Sequence, residues 1–197
     1  MGEEEPLSPE DHAEAHAHLL LARYGVLARE LVPGGWAAVR QTLTRMEYGG
    51  EVARGYFVEG LSGEQYALED GLDDLATATR RGASHVLVAA GDPANVWGRI
   101  FTLTAAAGDR VTAPRSADWL VLRHGTPVAL IGAHGREVTT HAGWQPSDAA
   151  GVAEAIGSML ARPAASRPVR RVEVGTWDGQ AVRESVAFPI LHAAGLA

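Results

Sequence analysis

Between residues 36 and 68 a helical spacing of apolar residues gives way to a strand-like alternation broken by glycines, and few small folds place those two patterns in that order. Trp36, Val39, Leu43 and Met46 recur at intervals of three and four, so they share one side of a helix. Glu51 to Val58 alternates as a strand does, Gly60 to Gly63 supplies a turn, and Glu64 to Leu68 returns as the partner strand. Upstream of them, from residue 19, the pattern predicts two short helices. Two short helices, an amphipathic third and a β-hairpin make a winged helix, a common nucleic-acid-binding module.

The side of the third helix opposite its apolar stripe presents Arg40, Gln41, Thr44 and Arg45. Arginine and glutamine make bidentate contacts to guanine and adenine edges, and arginine also contacts phosphates. Every surface helix has a polar face, so the neighbouring hairpin carries the argument: Arg54 and Tyr56 stand where a wing meets a groove. With Trp36 at the helix start and Gln65 on the returning strand, the expected nucleic-acid-binding set is Trp36, Arg40, Gln41, Thr44, Arg45, Arg54, Tyr56 and Gln65.

Charge limits how strongly such a face can grip DNA. The formal net charge is −7, but Glu3, Glu4, Glu5, Glu10, Asp11 and Glu14 crowd the first fourteen residues, and Glu69, Asp70, Asp73 and Asp74 form a second acidic cluster. Between those clusters five arginines, Arg23, Arg29, Arg40, Arg45 and Arg54, face Glu30, Glu47, Glu51, Glu59 and Glu64. The module itself is near neutral, which predicts modest, salt-sensitive DNA binding. A near-neutral winged helix also suits a protein–protein contact, the reading of a different class.

All 17 basic residues are arginine; the chain has no lysine and no G-x-x-x-x-G-K-[ST] phosphate loop. It therefore cannot by itself be an ATP-driven motor. The absence of cysteine excludes disulfides, thiolate metal sites and cysteine nucleophiles. The apolar runs are too short to span a membrane and the acidic start is unlike a signal peptide, so the expected location is cytoplasmic.

The rest of the chain predicts a second domain. Ser8, Pro9 and Asp11 make a helix start, after which Ala13, Ala17, Leu20, Leu21 and Tyr24 share a face. Glu69 to Arg81 is expected to be a linking helix. Strands follow at 85–90, 99–103, 119–123, 127–132 and 136–141, separated by Gly, Pro and Asp turn signals. Ser147 then caps a helix aligned through Val152, Ile156, Met159 and Leu160, closed by Pro163. A stiff connector over 162–168, a strand pair at 170–177 and 180–184, and a short helix ending near Gly195 complete the pass. The expected class is α+β, with a winged-helix domain over 1–80, including its acidic extension, and a barrel-like, mostly antiparallel β domain with two helices over 81–197.

His12, His16 and His18 include an i, i+4 pair, but no further ligands are signalled and no metal or other cofactor is expected. No G-x-S-x-G elbow is present, so a hydrolytic triad is unsupported. The DPANVWG stretch offers Asp92 and Asn95, either as an Asp-Pro turn bonding its own backbone or as a carboxylate at the rim of the β domain.

RYGVLARELVPGGWAAVRQTL followed by GYFVEGLSGEQYAL resembles the winged helix in the C-terminal region of Lhr-type large ATP-dependent DNA helicases. AAGDPANVWG and WLVLRHGTPVALIGAHGREVTTH resemble two later landmarks of the same region, in the same order, so the likeness covers about residues 15 to 196. It implies a DNA-binding accessory module in DNA repair, with DNA and a helicase's motor domains as partners. The family continues past the position matching Gly195 with a short basic tail, and this chain stops at Ala197. The same region is similar to AlkZ-type DNA glycosylases, which implies base excision as an alternative. That chemistry needs a flipped base and a carboxylate to stabilise the sugar cation or position water. Asp92, Asp118 and Asp178 are the candidate carboxylates, with Tyr56 and Gln65 as candidate pocket residues. Asp118 is otherwise a strand-entry residue and Asp178 a hairpin turn.

Overall fold

The computed structural model describes residues 8–80, 85–108, 111–161 and 172–195, and the chain divides into two compact units, residues 1–81 and 82–197. The expected connector at 162–168 and the start of the strand expected from Arg170 lie outside the described residues.

Helix α1 (Pro9–Tyr24) begins where the sequence predicts, because Ser8 and Asp11 cap it reciprocally. The Asp11 N–H donates to Ser8 Oγ at 3.1 Å and the Ser8 N–H donates to the Asp11 carboxylate at 3.1 Å. The Ser8 hydroxyl, donating to the same carboxylate at 2.7 Å, and then the Ser8 N–H hold the Asp11 carboxyl below its ordinary pKa. Gly25, at φ +72°, ends the helix. Strand β1 (Val26–Leu27), a 3₁₀ turn at Arg29–Leu31, helix α2 (Trp36–Tyr48), strands β2 (Ala53–Gly55) and β3 (Gln65–Ala67), and helix α3 (Glu69–Arg80) follow. In place of the two short helices expected before α2 stand one sixteen-residue helix and a single 3₁₀ turn. The reason is pairing: Val26 and Leu27 give their backbone to Ala67 and Tyr66, so β3 lies between β1 and β2 in a three-stranded sheet.

The apolar stripe of α2 packs as its spacing demands. Val39, Leu43 and Met46 are buried with Leu20, Leu21, Leu27 and Tyr66, while Trp36 is half-buried with its ring 6.2 Å from that of Tyr66. Thr42 joins the buried side, its hydroxyl donating to the Ala38 carbonyl at 3.4 Å.

The second unit is built on strands β4 (Val86–Ala89), β7 (Trp119–Arg123), β8 (Thr126–Gly132), β9 (Glu137–Thr140), β10 (Thr176–Trp177) and β11 (Gln180–Ala181), hydrogen-bonded in the order β11-β10-β9-β8-β7-β4. Among these described strands only β9 and β10 pair in parallel. Among the described residues the order is linear, so the α+β class stands and the sheet is open instead of closing into a barrel. A separate hairpin joins β5 (Leu103–Thr104) to β6 (Val111–Thr112). The strand expected at 99–103 is mostly loop, and 182–184, expected to continue β11, is a 3₁₀ turn. Helices α4 (Asp148–Ala161) and α5 (Phe188–Ala193) complete the unit. No described helix is long and apolar enough to cross a membrane.

Strand β8 explains why Pro127–Gly132 is a continuous apolar run: it is covered on both faces. Val121, Ala129 and Ile131 join Val152, Ile156 and Met159 of α4 in one core, whereas Leu120 and Leu130 turn to the other face and meet Leu103. A β-bulge between β7 and β8, where Val121 faces Ala129 but Leu122 faces Pro127, makes Val128 the extra residue. That insertion lets Val128 join the α4 core beside Ala129.

Two glycines in α4 have opposite surroundings. A Cβ on Gly151 would stand 2.0 Å from His85 Nδ1, whereas a Cβ on Gly157 would meet nothing within 4 Å. Glycine in a helix interior costs about 0.5–1 kcal/mol relative to alanine. Gly157→Ala is therefore expected to stabilise the protein by about that amount, and Gly151→Ala to destabilise it by about 1–3 kcal/mol through overpacking. Urea melts of the two variants check the sign of each.

Candidate nucleic-acid interface and cavity

The exposed side of α2 carries Arg40, Gln41 and Arg45 as expected. Thr44 is half-buried, its hydroxyl donating to the Arg40 carbonyl at 2.9 Å and lying 3.3 Å from the Tyr66 hydroxyl. Arg54 and Tyr56 project from the wing, and Tyr56 is 82% exposed. The arginines of this surface are paired. Arg40 Nε donates to Glu64, Arg54 Nε lies 3.0 Å from Glu47, and Arg54 Nη1 lies 3.5 Å from Glu64. Arg45 is 3.7 Å from Glu10. The bond from Arg40 holds the Glu64 carboxyl below its ordinary pKa, and the same bond raises Arg40. Local neutrality is thus achieved bond by bond, which the net charge of the segment does not reveal.

Gln65 is a correction. It is buried, and its Oε1 accepts from the N–H groups of Phe57 (2.9 Å) and Val58 (2.8 Å) while its Nε2 donates to the Val58 carbonyl at 2.9 Å. With both acceptor positions and one N–H of its amide committed to the wing's own backbone, the buried Gln65 braces the hairpin and is withdrawn from any base. Glu30 braces the turn from the other side, accepting at 2.8 Å from the Ser62 N–H. Together they present Tyr56 from a fixed wing.

The three candidate carboxylates part company in the second unit. Asp92 is an exposed turn residue whose Oδ1 accepts from the Ala94 N–H at 2.8 Å, and the buried Asn95 side chain bonds the backbone of Ala90 and Trp97. Asp178, at φ +51°, sits in the turn between β10 and β11, and its oxygens accept from the Thr140 N–H (2.7 Å) and hydroxyl (2.9 Å). Both follow the turn readings. Asp118 is different: it is buried and lines a cavity of about 250 Å³.

The register of the sheet builds that cavity. Leu130 faces Thr139 and Gly132 faces Glu137 across β8 and β9, so the four share one face. Leu120, two residues after Asp118, faces Leu130. Val111, Thr112, Ala113 and Arg115 complete the lining. Gly132 leaves room over the sheet, since the nearest heavy atom to a Cβ placed there is Asp118 Oδ1 at 3.5 Å. Asp118 Oδ2 accepts from the Arg115 N–H at 2.8 Å, and the buried Thr112 hydroxyl has no hydrogen-bond partner among the described residues. Two carboxylates, two threonine hydroxyls and an arginine thus converge on one space. The sequence does not single out Glu137, Thr112 or Thr139, because only strand register places them beside Asp118.

On α1 the i, i+4 histidine pair gives way to another grouping. His12 Nδ1 lies 3.0 Å from the Ser8 carbonyl, whereas Glu14, His18 and Glu51 bring one ligand atom each within 4.8 Å of one another. His18 Nε2 lies 3.5 Å from Glu51, and both side chains are substantially exposed. These three are the described residues that can share an ion.

Residues 6–86 match the winged-helix domain of the large helicase-related protein family. The first unit is an Lhr-type winged helix. The likeness extends beyond it: the chain is 32% identical over 204 aligned positions to the Lhr helicase/uracil glycosylase of Escherichia coli, covering 97% of this chain and 13% of that protein. It is 41% identical over 103 positions to the Lhr helicase/probable uracil glycosylase of Mycolicibacterium smegmatis, covering 46% of this chain and 7% of that one. The chain therefore spans about an eighth or less of these relatives' lengths. Within the Lhr-type unit, the structure brings Arg40, Arg45 and Arg54 to the surface and withdraws Gln65 from it.

Proposed function

We propose that this chain is a DNA-binding accessory module of an Lhr-type helicase, acting in DNA repair with DNA and the helicase's motor domains as partners. The observation that carries this reading is the α2 surface, where Arg40, Gln41 and Arg45 stand exposed beside a wing presenting Arg54 and Tyr56. Arginine contacts to phosphate position a protein on DNA, and an exposed aromatic ring offers a stacking surface to an unpaired base. The pairing of these arginines to acids keeps the affinity modest. Arg40→Ala with Arg45→Ala is expected to weaken binding to a labelled duplex about 3- to 10-fold and to lower the slope of log K against log salt by about 1 for each phosphate no longer neutralised. Fluorescence anisotropy over a salt series measures both, and an unchanged slope sinks the reading.

A second reading, base excision, is favoured by the cavity at Asp118 and by the relatives named as uracil glycosylases. The cavity is smaller than the roughly 300–1,000 Å³ of drug-sized pockets, which suits a single flipped base. In such a reaction the bond from the base nitrogen to C1′ of the sugar breaks, and its electron pair leaves with the base. The Asp118 carboxylate stabilises the resulting sugar cation or orients the water that attacks C1′. The water oxygen bonds C1′ and the proton it gives up passes to the departing base, so the products are a free base and an abasic site. Uracil-containing single-stranded and duplex DNA, treated with the protein and then with alkali, shows strand breaks at uracil if this reading holds; intact strands beside a positive binding assay leave the accessory module alone.

A further inference from the structure

One carboxylate in the first unit lies between two guanidinium groups that come from different elements. Glu64, one residue before β3, accepts from Arg40 of α2 and lies 3.5 Å from Arg54 Nη1 of β2. The ladder fixes this geometry: Arg54 faces Tyr66 and Gly55 faces Gln65, so Glu64 comes off the end of the paired segment on the side of the wing. The side chains of Arg40 and Arg54 are 51% and 46% exposed, and that of Glu64 is 25% exposed. Two guanidinium forks converging on one anionic centre are a donor set suited to a phosphate group. Here the anion is the chain's own.

We propose that Arg40 and Arg54 form a binding site for a DNA backbone phosphate that Glu64 masks in the free protein. This rests on the reading of the α2 surface as a DNA contact. Exposed ion pairs are worth little in water, so a phosphate can displace the carboxylate without disturbing the fold. Glu64 directly follows Gly63, at φ +72°, in a turn that also contains Gly60. Gln65 and Glu30 hold that turn independently of Glu64. Glu47 of α2 keeps a bond to Arg54 Nε at 3.0 Å, which holds Arg54 to α2 when Glu64 moves away. Masking also limits indiscriminate binding: a phosphate gains only the difference between its own contacts and those of Glu64.

The test uses the full chain and a labelled duplex, followed by fluorescence anisotropy over a salt series. Glu64→Gln keeps the side chain's size and removes its charge. It is expected to tighten binding about 3- to 10-fold at low salt and to steepen the slope of log K against log salt by about 1 to 2. Glu59→Gln makes the same change in net charge on the same wing, at a residue that among the described residues bonds neither arginine, and is expected to leave the slope unchanged. Adding Arg40→Ala and Arg54→Ala to Glu64→Gln removes the gain. Glu64→Asp, which withdraws the carboxylate while keeping its charge, gives an intermediate affinity and covers the case in which Glu64→Gln melts early. Wild-type binding with an unchanged slope in Glu64→Gln, or an equal gain in Glu59→Gln, overturns the masked site and leaves the DNA-binding reading standing. No binding by either wild type or Glu64→Gln overturns both.

Discussion

Asp148→Ala is expected to lower the stability of the second unit by about 3–5 kcal/mol, the range measured when one partner of a buried ion pair is removed. The Asp148 side chain is 1% exposed and makes four close contacts with three groups at once. Its Oδ1 lies 2.7 Å from His85 Nε2 and accepts from Arg123 Nη1 at 2.8 Å; its Oδ2 accepts from the same Nη1 at 2.8 Å and from the Gln145 N–H at 2.8 Å. Arg123 Nη2 in turn donates to the Gly143 carbonyl at 2.9 Å. These bonds tie β7, the residue before β4, and the loop entering α4 to one carboxylate at the first position of that helix, where the helix dipole also favours negative charge. Alanine there leaves a half-buried guanidinium without its counter-charge. Asp148→Asn keeps the shape but not the charge and is expected to fall between. Equilibrium urea unfolding of the three proteins decides it: a loss under about 1 kcal/mol for alanine means that Arg123 finds water and the network is not holding the unit.

None of that network is legible in the sequence, because His85, Arg123 and Asp148 are separated by tens of residues and meet only through sheet order and the position of α4. What is legible is local. The cap at Ser8 and Asp11, the buried stripe of Val39, Leu43 and Met46, the strand pair around the wing turn and the helix from residue 148 each follow from short-range spacing or a single hydrogen-bonded motif. The divergences are tertiary. Val26 and Leu27 lack the length to announce a strand, yet β3 recruits them. Gln65 has the side chain of a base reader, and only the path of the wing turns its amide inward. The same limit governs the carboxylates: Asp92 and Asp178 read as turn acids and Asp118 as a strand-entry residue, and only the register of β8 against β9 sets Asp118 over a cavity with Glu137.

Asp118→Asn tests the chemistry of that cavity, and if the chain excises uracil the variant is expected to lose about 10²–10³-fold in single-turnover rate, the usual cost of removing a group that stabilises transition-state charge. The substitution is nearly isosteric, and an asparagine oxygen can still accept the Arg115 N–H that Asp118 Oδ2 now holds at 2.8 Å. Binding of uracil-containing DNA and the melting temperature should therefore stay close to wild type, which separates a chemical defect from a structural one. Asp92→Asn and Asp178→Asn are the internal controls. Asp92 bonds its own turn and Asp178 bonds Thr140, so their amides are expected to leave the rate within a few-fold of wild type. Glu137→Gln distinguishes the two roles a carboxylate can take there. Glu137 is exposed and lines the same cavity as the buried Asp118; if it orients water, its loss slows excision without weakening DNA binding, whereas a bystander leaves both unchanged. Excision that survives Asp118→Asn at the wild-type rate removes Asp118 from the reaction, and with it the reason for placing a base in this cavity.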